Sequence, residues 1–257
     1  MREKIAIISD VHGNLNALNT VFNDINKRGI TRIICLGDLV GKGPNTEEVV
    51  DKVKNNCEIV IKGNWDYLVS EVNNKYFIKW HKEKLRNDQL EYLKNLPIYS
   101  EFYISGNLVR IFHSSIKDLF FRVAVESTKE DKLKLFIPPQ LNGKEADIVI
   151  YGHLHYAFIE YFTGKTLINV GSVGNPLEIN EAAYAIIEGE YNSKKKDVIS
   201  IAIIRIPYDV NRSIEDAEKS DMPDKEEYIG ELKYAIYRGL KKWIFNIYAQ
   251  ITLKNIY

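Results

Sequence analysis

The sequence predicts an α/β protein, and three observations carry that prediction. Short runs rich in Ile and Val, KIAIIS, RIICLG and EIVIKG, alternate with stretches whose apolar residues recur at helical spacing. Such alternation predicts parallel strands covered by helices. Farther along, apolar runs are joined by short turn-forming links, which adds antiparallel pairs. The third observation is chemical: four of the five histidines stand where an apolar run ends.

Taken in order, KIAIIS is the first strand and LNALNTVFNDINKRG the first helix, stopped at Gly29. RIICLG follows as a strand, then NTEEVVDKVKNN as a helix ending at Asn55 and Asn56, then EIVIKG as a strand. Residues 65–96 are helical by pattern, broken near Asn73 and Asn74 and ended by Pro97, and read as an insertion between sheet segments. IYSEFYISGNLVRIFHSS reads as a hairpin turning at Ser105-Gly106-Asn107. ADIVIYGH is another strand, and AFIEYFTGKTLINVG a hairpin turning at Thr163-Gly164-Lys165. A third hairpin, AAYAIIEGEYNSKKKDVISIAIIRIP, turns near Asn192-Ser193, so that Lys194, Lys195 and Lys196 form a solvated tip. Residues 207–257 are helical again, with Tyr, Ile, Leu and Trp on one broad face and both signs of charge on the other. That face suits packing better than a membrane surface and leaves self-association open. The organisation expected is one domain over 1–257, with 65–96 as a partial cover and 207–257 as a C-terminal helical segment.

Composition excludes some functions. With 35 Lys+Arg against 35 Asp+Glu, the chain lacks the basic excess that grips long nucleic acid, though small anions remain admissible. Two cysteines, Cys35 and Cys57, are too few for a disulfide framework and sit in apolar runs as core thiols. No secretory signal or membrane-spanning run is visible, so a cytoplasmic protein is expected.

Strand ends carry the chemistry. Asp10 and His12 follow KIAIIS, Asp38 follows RIICLG, and Asn64 follows EIVIKG. His113 follows LVRIF, and His153 and His155 follow DIVIY. Each has a local explanation as a cap or turn residue. Together they converge, because open sheets bind ligands beyond the carboxyl ends of their strands. Imidazole, carboxylate and amide oxygen without thiolate suit Mn, Fe, Zn or Ni. Seven groups exceed one tetrahedral zinc site and match two ions sharing a carboxylate, a pair that activates water for in-line phosphoryl displacement. Gly37, Gly63 and Gly152 stand beside these groups, where a missing side chain permits close approach.

The ordered series Asp10-Val11-His12, Gly37-Asp38 with Gly41 and Gly43, Gly63-Asn64-Trp65-Asp66, His113 and Gly152-His153-Leu154-His155 resembles the calcineurin-like metallophosphoesterases. The resemblance covers about residues 5–175. It implies a four-layer αββα fold, two packed mixed sheets flanked by helices. It also implies that Asp10, His12 and His155 hold one ion, Asn64, His113 and His153 the other, and that Asp38 bridges both. Asp38, Asn64 and His113 would form the catalytic centre, with two divalent ions, Mn2+ foremost and Fe, Zn or Ni as alternatives. Asn14, Trp65 and Tyr67 are candidate substrate contacts. DVHGNLNAL, GNWD and NVGSVGNP (Asn169–Pro176) are similar to bacterial phosphodiesterases and diadenosine-tetraphosphate hydrolase-like members, although NVGSVGNP also reads as a plain sheet-end turn.

One position departs from many relatives, which carry histidine after the motif asparagine and use it on the leaving group. Here Trp65 stands there. An indole N–H donates a hydrogen bond but supplies no readily transferable proton. Polyphosphate leaving groups, with pKa roughly 6 to 7, need none. The substrate expected is therefore a small nucleotide, foremost a dinucleoside polyphosphate, cleaved by hydroxide attack on phosphorus. His81 in the insertion is an alternative proton source or a surface histidine. A broader or cyclic-nucleotide phosphodiesterase is the second enzyme reading. A non-catalytic scaffold of the same fold is the third, and it should lack ligands that this chain retains.

Overall fold

The computed structural model describes residues 2–71 and 75–238. β1 (Arg2–Ile8), β2 (Arg32–Cys35) and β3 (Ile59–Val60) run parallel, connected through α1 (Leu15–Lys27) and α2 (Thr46–Asn56). β9 (Ala182–Glu190) lies antiparallel on the other edge of β1, and β10 (Ser200–Ile206) antiparallel on β9. The first sheet thus has the order β10-β9-β1-β2-β3.

The second sheet is built from β4 (Tyr99–Ile104), β5 (Asn107–Phe112), β6 (Ile148–Tyr151), β7 (Ala157–Phe162) and β8 (Lys165–Val170). Its order is β4-β5-β6-β8-β7, with parallel β5, β6 and β8 and an antiparallel strand at each edge. Both sheets are mixed. The parallel core of the second one was not visible in the hairpin pattern, because β5 and β8 come from different hairpins and β6 from the lone strand between them.

Strand alternation decides what each face meets. Ile5 and Ile7 point into a core shared with Val109, Ile111, Ile150 and Ile168 of the second sheet. Ala6 and Ile8 face the opposite way, onto Leu18 and Val21 of α1 and Val49 and Val50 of α2. Phe112, Val149 and Tyr151 form the outer face of the second sheet and pack on Leu135 and Phe136, beside the short α6 (Lys129–Lys134). The layers run helix, sheet, sheet, helix. The outermost layer is mostly irregular chain, and the buried Arg110 on β5 ties it down. Its guanidinium donates to the carbonyls of Phe136, Ile137 and Lys144 at 2.7, 3.0 and 2.9 Å.

The insertion forms α3 (Asn64–Glu71), α4 (Tyr76–Glu83) and α5 (Asn87–Lys94). Val69, Ile78 and Leu93 join the core beneath α1 and α2, so most of the segment packs against the helical layer. Trp80 instead enters a separate cluster with Ile214, Tyr228 and Leu232, beneath α7 (Val210–Lys219) and α8 (Lys225–Tyr234). The expected break at Asn73-Asn74 and the expected helix over 239–257 lie outside the described residues.

The third hairpin differs from expectation. Its strands stop at Glu190 and resume at Ser200, leaving a longer link. Tyr191 pairs with Ile104 of the other sheet, and the Ser105 hydroxyl accepts from Glu190 N, which draws the chain away from its partner strand. The lysine tip leans on the neighbouring turn, where Lys196 donates to Asn107 at 2.7 Å. Cys35 and Cys57 are unpaired, and burial pushes both thiols up.

Candidate metal centre

Parallel strands in both sheets end at one place. β1 ends just before Asp10, β2 before Asp38, β3 before Asn64, β5 at His113, and β6 before His153 and His155. All seven groups singled out in the sequence meet there. His12 Nε2 lies 3.0 Å from His155 Nε2, and Asp10 Oδ1 lies 3.6 and 3.2 Å from those two nitrogens. Asn64 Oδ1 lies 3.0 Å from His113 Nε2 and 2.9 Å from His153 Nδ1. Asp38 Oδ2 sits between the halves, 3.6 Å from His12 Nε2 and 3.4 Å from His113 Nε2.

Backbone carbonyls set the imidazoles. His12 Nδ1 is 3.1 Å from Val40 O, His113 Nδ1 is 2.9 Å from Leu36 O, and His155 Nδ1 is 2.5 Å from Asn175 O. A carbonyl only accepts, so each Nδ1 carries a proton and each Nε2 faces inward, where His12 and His155, when neutral, turn a lone pair to the site. Two such lone pairs 3.0 Å apart, as in His12 and His155, repel unless a cation or proton lies between them. Asp10 Oδ1 and His153 Nε2 are buried without a hydrogen-bond partner among the described residues. This donor set fits metal ions. Two groups of ligand atoms are close enough to hold one: Asp10 with His12 and His155, and Asp10 with Asp38 and His113. Asp10 thus belongs to both groups, a sharing that the resemblance had assigned to Asp38 alone.

Five of the seven residues have positive φ: Asp10 at 54°, His12 at 48°, Asp38 at 53°, His153 at 69° and His155 at 65°. Left-handed backbone is uncommon for residues with a side chain, and clusters of it mark places where position outweighs local comfort. Two glycines make the close packing feasible. A Cβ on Gly63 would run into Asp38, and one on Gly152 would run into Ser9 and Asp10. Asp66, the last residue of GNWD, fastens the Asp38 loop by accepting from the amides of Asp38, Leu39 and Gly63 at 2.8, 2.9 and 2.9 Å.

The electrostatics ask for positive charge. Burial alone would raise the Asp10 carboxyl, but His155 and His113 hold it well below the usual range. Asp38 is likewise lowered against burial, chiefly by His113. His113 is the counterpart: burial opposes its charge, yet Asp38 and Asp10 lift it to about 9. His153 goes the other way, pulled to about 3 by burial and by His113. Burial and Asp38 push Asp66 up to about 7.

Other sequence candidates sit differently. The buried Asn14 side chain caps α1 by accepting from Ala17 N and also bonds Gly174 O and Ser213, so it is committed to the fold. Trp65 lines the cleft, packed over Gly41 and edge-on to Phe77. Tyr67 lies beside Phe120 at a ring separation of 6.4 Å and is absent from the cleft lining. His81 is no surface histidine. It is 2% exposed, bonded to Thr46 at 3.0 Å, and burial drives it down to about 3.

A cleft of about 260 Å³ opens over five of the seven groups, His12, Asp38, Asn64, His153 and His155, and its walls include residues the sequence did not single out. Lys42, Arg122, Tyr237 and Arg238 are among them. Lys42 stood inside the motif GDLVGKGPN, where the glycines drew attention. Arg122 and Arg238 lie in no pattern at all. Behind the cleft, the buried Glu231 of α8 accepts from Lys42 at 3.1 Å and from Arg238 Nε at 3.0 Å. Burial would raise this carboxyl, but Lys42 and Arg238 hold it down at about 2. A depressed acid stabilises the fold above its unfolded value of about 4.5 and loses that contribution as pH falls toward the folded value. The difference corresponds to roughly 3 kcal/mol. Melting temperature should therefore fall between about pH 4.5 and 2 more steeply in the wild type than in Glu231→Gln, measured by circular dichroism. Parallel curves would show that Glu231 has no part in the acid transition.

The sequence pattern of the calcineurin-like phosphoesterase superfamily domain matches residues 4–192, and the chain belongs to this superfamily. The uncharacterized protein MJ0912 of Methanocaldococcus jannaschii is 35% identical over 258 residues, spanning 90% of this chain and 97% of that protein. Two crystal structures share the fold. Hypothetical protein PH1004 of Pyrococcus horikoshii matches with a TM-score of 0.75 at 20% identity, over 91% of this chain and 99% of its own. A metallophosphoesterase from Sphaerobacter thermophilus matches with a TM-score of 0.69 at 23% identity, over the same shares of 91% and 99%. No helix among the described residues is long and apolar enough to cross a membrane.

Proposed function

We propose that the protein is a two-metal phosphoesterase acting on a small nucleotide, foremost a dinucleoside polyphosphate. The observation that carries this reading is the set of three imidazoles, each fixed through Nδ1 on a backbone carbonyl and turned onto the Asp10 and Asp38 carboxylates. Asp10, His12 and His155 would hold one divalent ion and Asn64, His113 and His153 the other, with Asp38 shared. Mn2+ suits the mixed nitrogen and oxygen donors, with Fe, Zn or Ni as alternatives. Bound together, such ions lower the pKa of water and neutralise charge on a phosphoryl oxygen.

The chain's own residues orient the reaction. Asp66 holds the Asp38 loop, and the carbonyls of Leu36, Val40 and Asn175 hold the imidazoles. Lys42 and Arg122 bring positive charge to an anionic phosphoryl group, and Trp65 with Phe77 offers an apolar wall to a base. The motifs shared with the diadenosine-tetraphosphate hydrolase-like branch support the same substrate.

No histidine outside the seven is among the residues lining the cleft, since His81 is buried and neutral. Turnover should then depend steeply on leaving-group basicity. In a series of phenyl phosphodiesters of graded phenol pKa, measured beside a dinucleoside polyphosphate, a cyclic nucleotide and an alkyl diester, the polyphosphate and the nitrophenyl ester should be fast. Alkyl esters turning over as quickly as nitrophenyl ones would overturn the assignment to phosphoanhydrides.

A further inference from the structure

The match to the superfamily domain stops at residue 192, yet part of the cleft wall comes from beyond it. Asp224, just before α8, and Tyr237 and Arg238, just after it, all line the cleft that holds His12, Asp38 and Asn64. Their placement is built. α8 is seated by Tyr228, Ile229 and Leu232 in the cluster shared with Trp80 and Ile214. Ala235 then reverses the chain in a left-handed conformation at φ 50°, which returns Arg238 to the helix that precedes it. There the Glu231 carboxylate accepts from both Arg238 N and Nε, at 3.2 and 3.0 Å, and Asp224 accepts from Nη1 at 3.3 Å. These side-chain bonds use two of the five guanidinium donors. Glu231 meanwhile spans two segments of chain, because its other oxygen accepts from Lys42 in the loop that follows Asp38. The ammonium of Lys42 stands 5.6 Å from the Tyr237 ring.

We propose that this C-terminal turn builds a second anion subsite, in which Arg238 receives a phosphate of the substrate other than the one cleaved. The proposal rests on the phosphoester reading above and narrows it to substrates that carry at least two phosphates. Two features select that chemistry over a single phosphoryl group. Arg238 lines the same cleft from the turn after α8 and is none of the seven candidate ligands, so its charge is additional to theirs and free to meet a phosphate other than the one held over them. A planar guanidinium held on one side by two carboxylates presents its remaining donors in a fixed fork, which matches phosphate oxygens. Asp224 also lines the cleft, but its bond to Arg238 sets the guanidinium in place and offsets its own charge. Glu231 is the positioning residue, since it touches both Lys42 and Arg238.

The test is calorimetric binding of ADP and AMP to Mn2+-loaded protein, because the two ligands share base and sugar and differ by one phosphate. Wild-type protein should bind ADP more tightly than AMP. Arg238→Gln should weaken ADP about ten- to a hundredfold while AMP changes far less, as expected for loss of a charged hydrogen bond. Arg238→Lys should fall between them, keeping the charge and losing the fork, and the melting temperature of each variant checks its fold. Equal losses for ADP and AMP, an unchanged ADP affinity in Arg238→Gln, or a wild type that does not distinguish the two ligands would each overturn the subsite. Turnover of bis(p-nitrophenyl) phosphate by the wild type reads the other hypothesis separately. Its absence alongside a surviving ADP preference would sink the hydrolase reading and leave the subsite standing.

Discussion

Asp38→Asn is expected to lower kcat/KM by about a thousandfold, on the order of 4 kcal/mol, with loss of bound metal. The amide keeps the shape of the side chain and removes one negative charge from a buried site that also holds Asp10, His12 and His113. Asparagine is the informative replacement because Asp38 has φ of 53°, a conformation that asparagine tolerates better than alanine. The same logic makes His12→Asn, at φ 48°, a fairer comparison than alanine for a terminal ligand. Of the two, Asp38→Asn should lose more activity, since its carboxylate lies between both halves of the site. Metal content by elemental analysis and steady-state kinetics on one diester decide the matter. A variant with near-normal kcat and two retained ions per chain would show that Asp38 is not shared.

Removing divalent metal is the second change with a large expected effect. After exhaustive chelation, phosphoesterase activity should fall to background, and Mn2+ should restore it well. Stability should follow. A ligand present at a hundred times its Kd stabilises the native state by about 2.7 kcal/mol. For a chain of 257 residues that corresponds to about 5–10 °C in melting temperature. Physically, the metal-free site keeps two buried carboxylates, Asp10 compensated by His155 and His113 and Asp38 chiefly by His113, and a divalent cation adds positive charge to both. Full turnover in protein verified as metal-free would exclude the two-metal mechanism, whatever the melting curves show.

Much of the site was legible because its chemistry sits at the ends of apolar strands. Asp10, Asp38, Asn64, His113, His153 and His155 each interrupt a run that otherwise wants burial, and the parallel strands of both sheets end together. The strands and helices of the first half were legible for the same reason, since period and composition are local. Other features were not. The left-handed backbone at five of the seven positions has no sequence signature, because Asp and His also occupy ordinary turns. Nor does any pattern announce that Val40, Leu36 and Asn175 lend carbonyls to three imidazoles, since a carbonyl is present at every residue. Asn14, expected from the sequence as a substrate contact, has its side chain bonded to Ala17, Gly174 and Ser213. Its neighbours in sequence are those of the site, but the start of α1 takes its side chain.

By itself, the order of residues determined the alternation of strands and helices, the seven polar groups at strand ends, and the superfamily those groups mark. Tertiary structure alone decided the rest of the cleft. Trp65 and His81 lie in the same helical insertion, yet one lines the cleft and the other is buried and neutral behind it. Arg238 follows Asp38 by two hundred residues and reaches the same cleft because α8 packs with α7 and Trp80 and its Glu231 carboxylate pairs with Lys42 and Arg238. Periodicity reports which face of an element is buried. Which distant element covers that face depends on long-range packing, where the apolar clusters, not the charged residues they carry, provide most of the driving force.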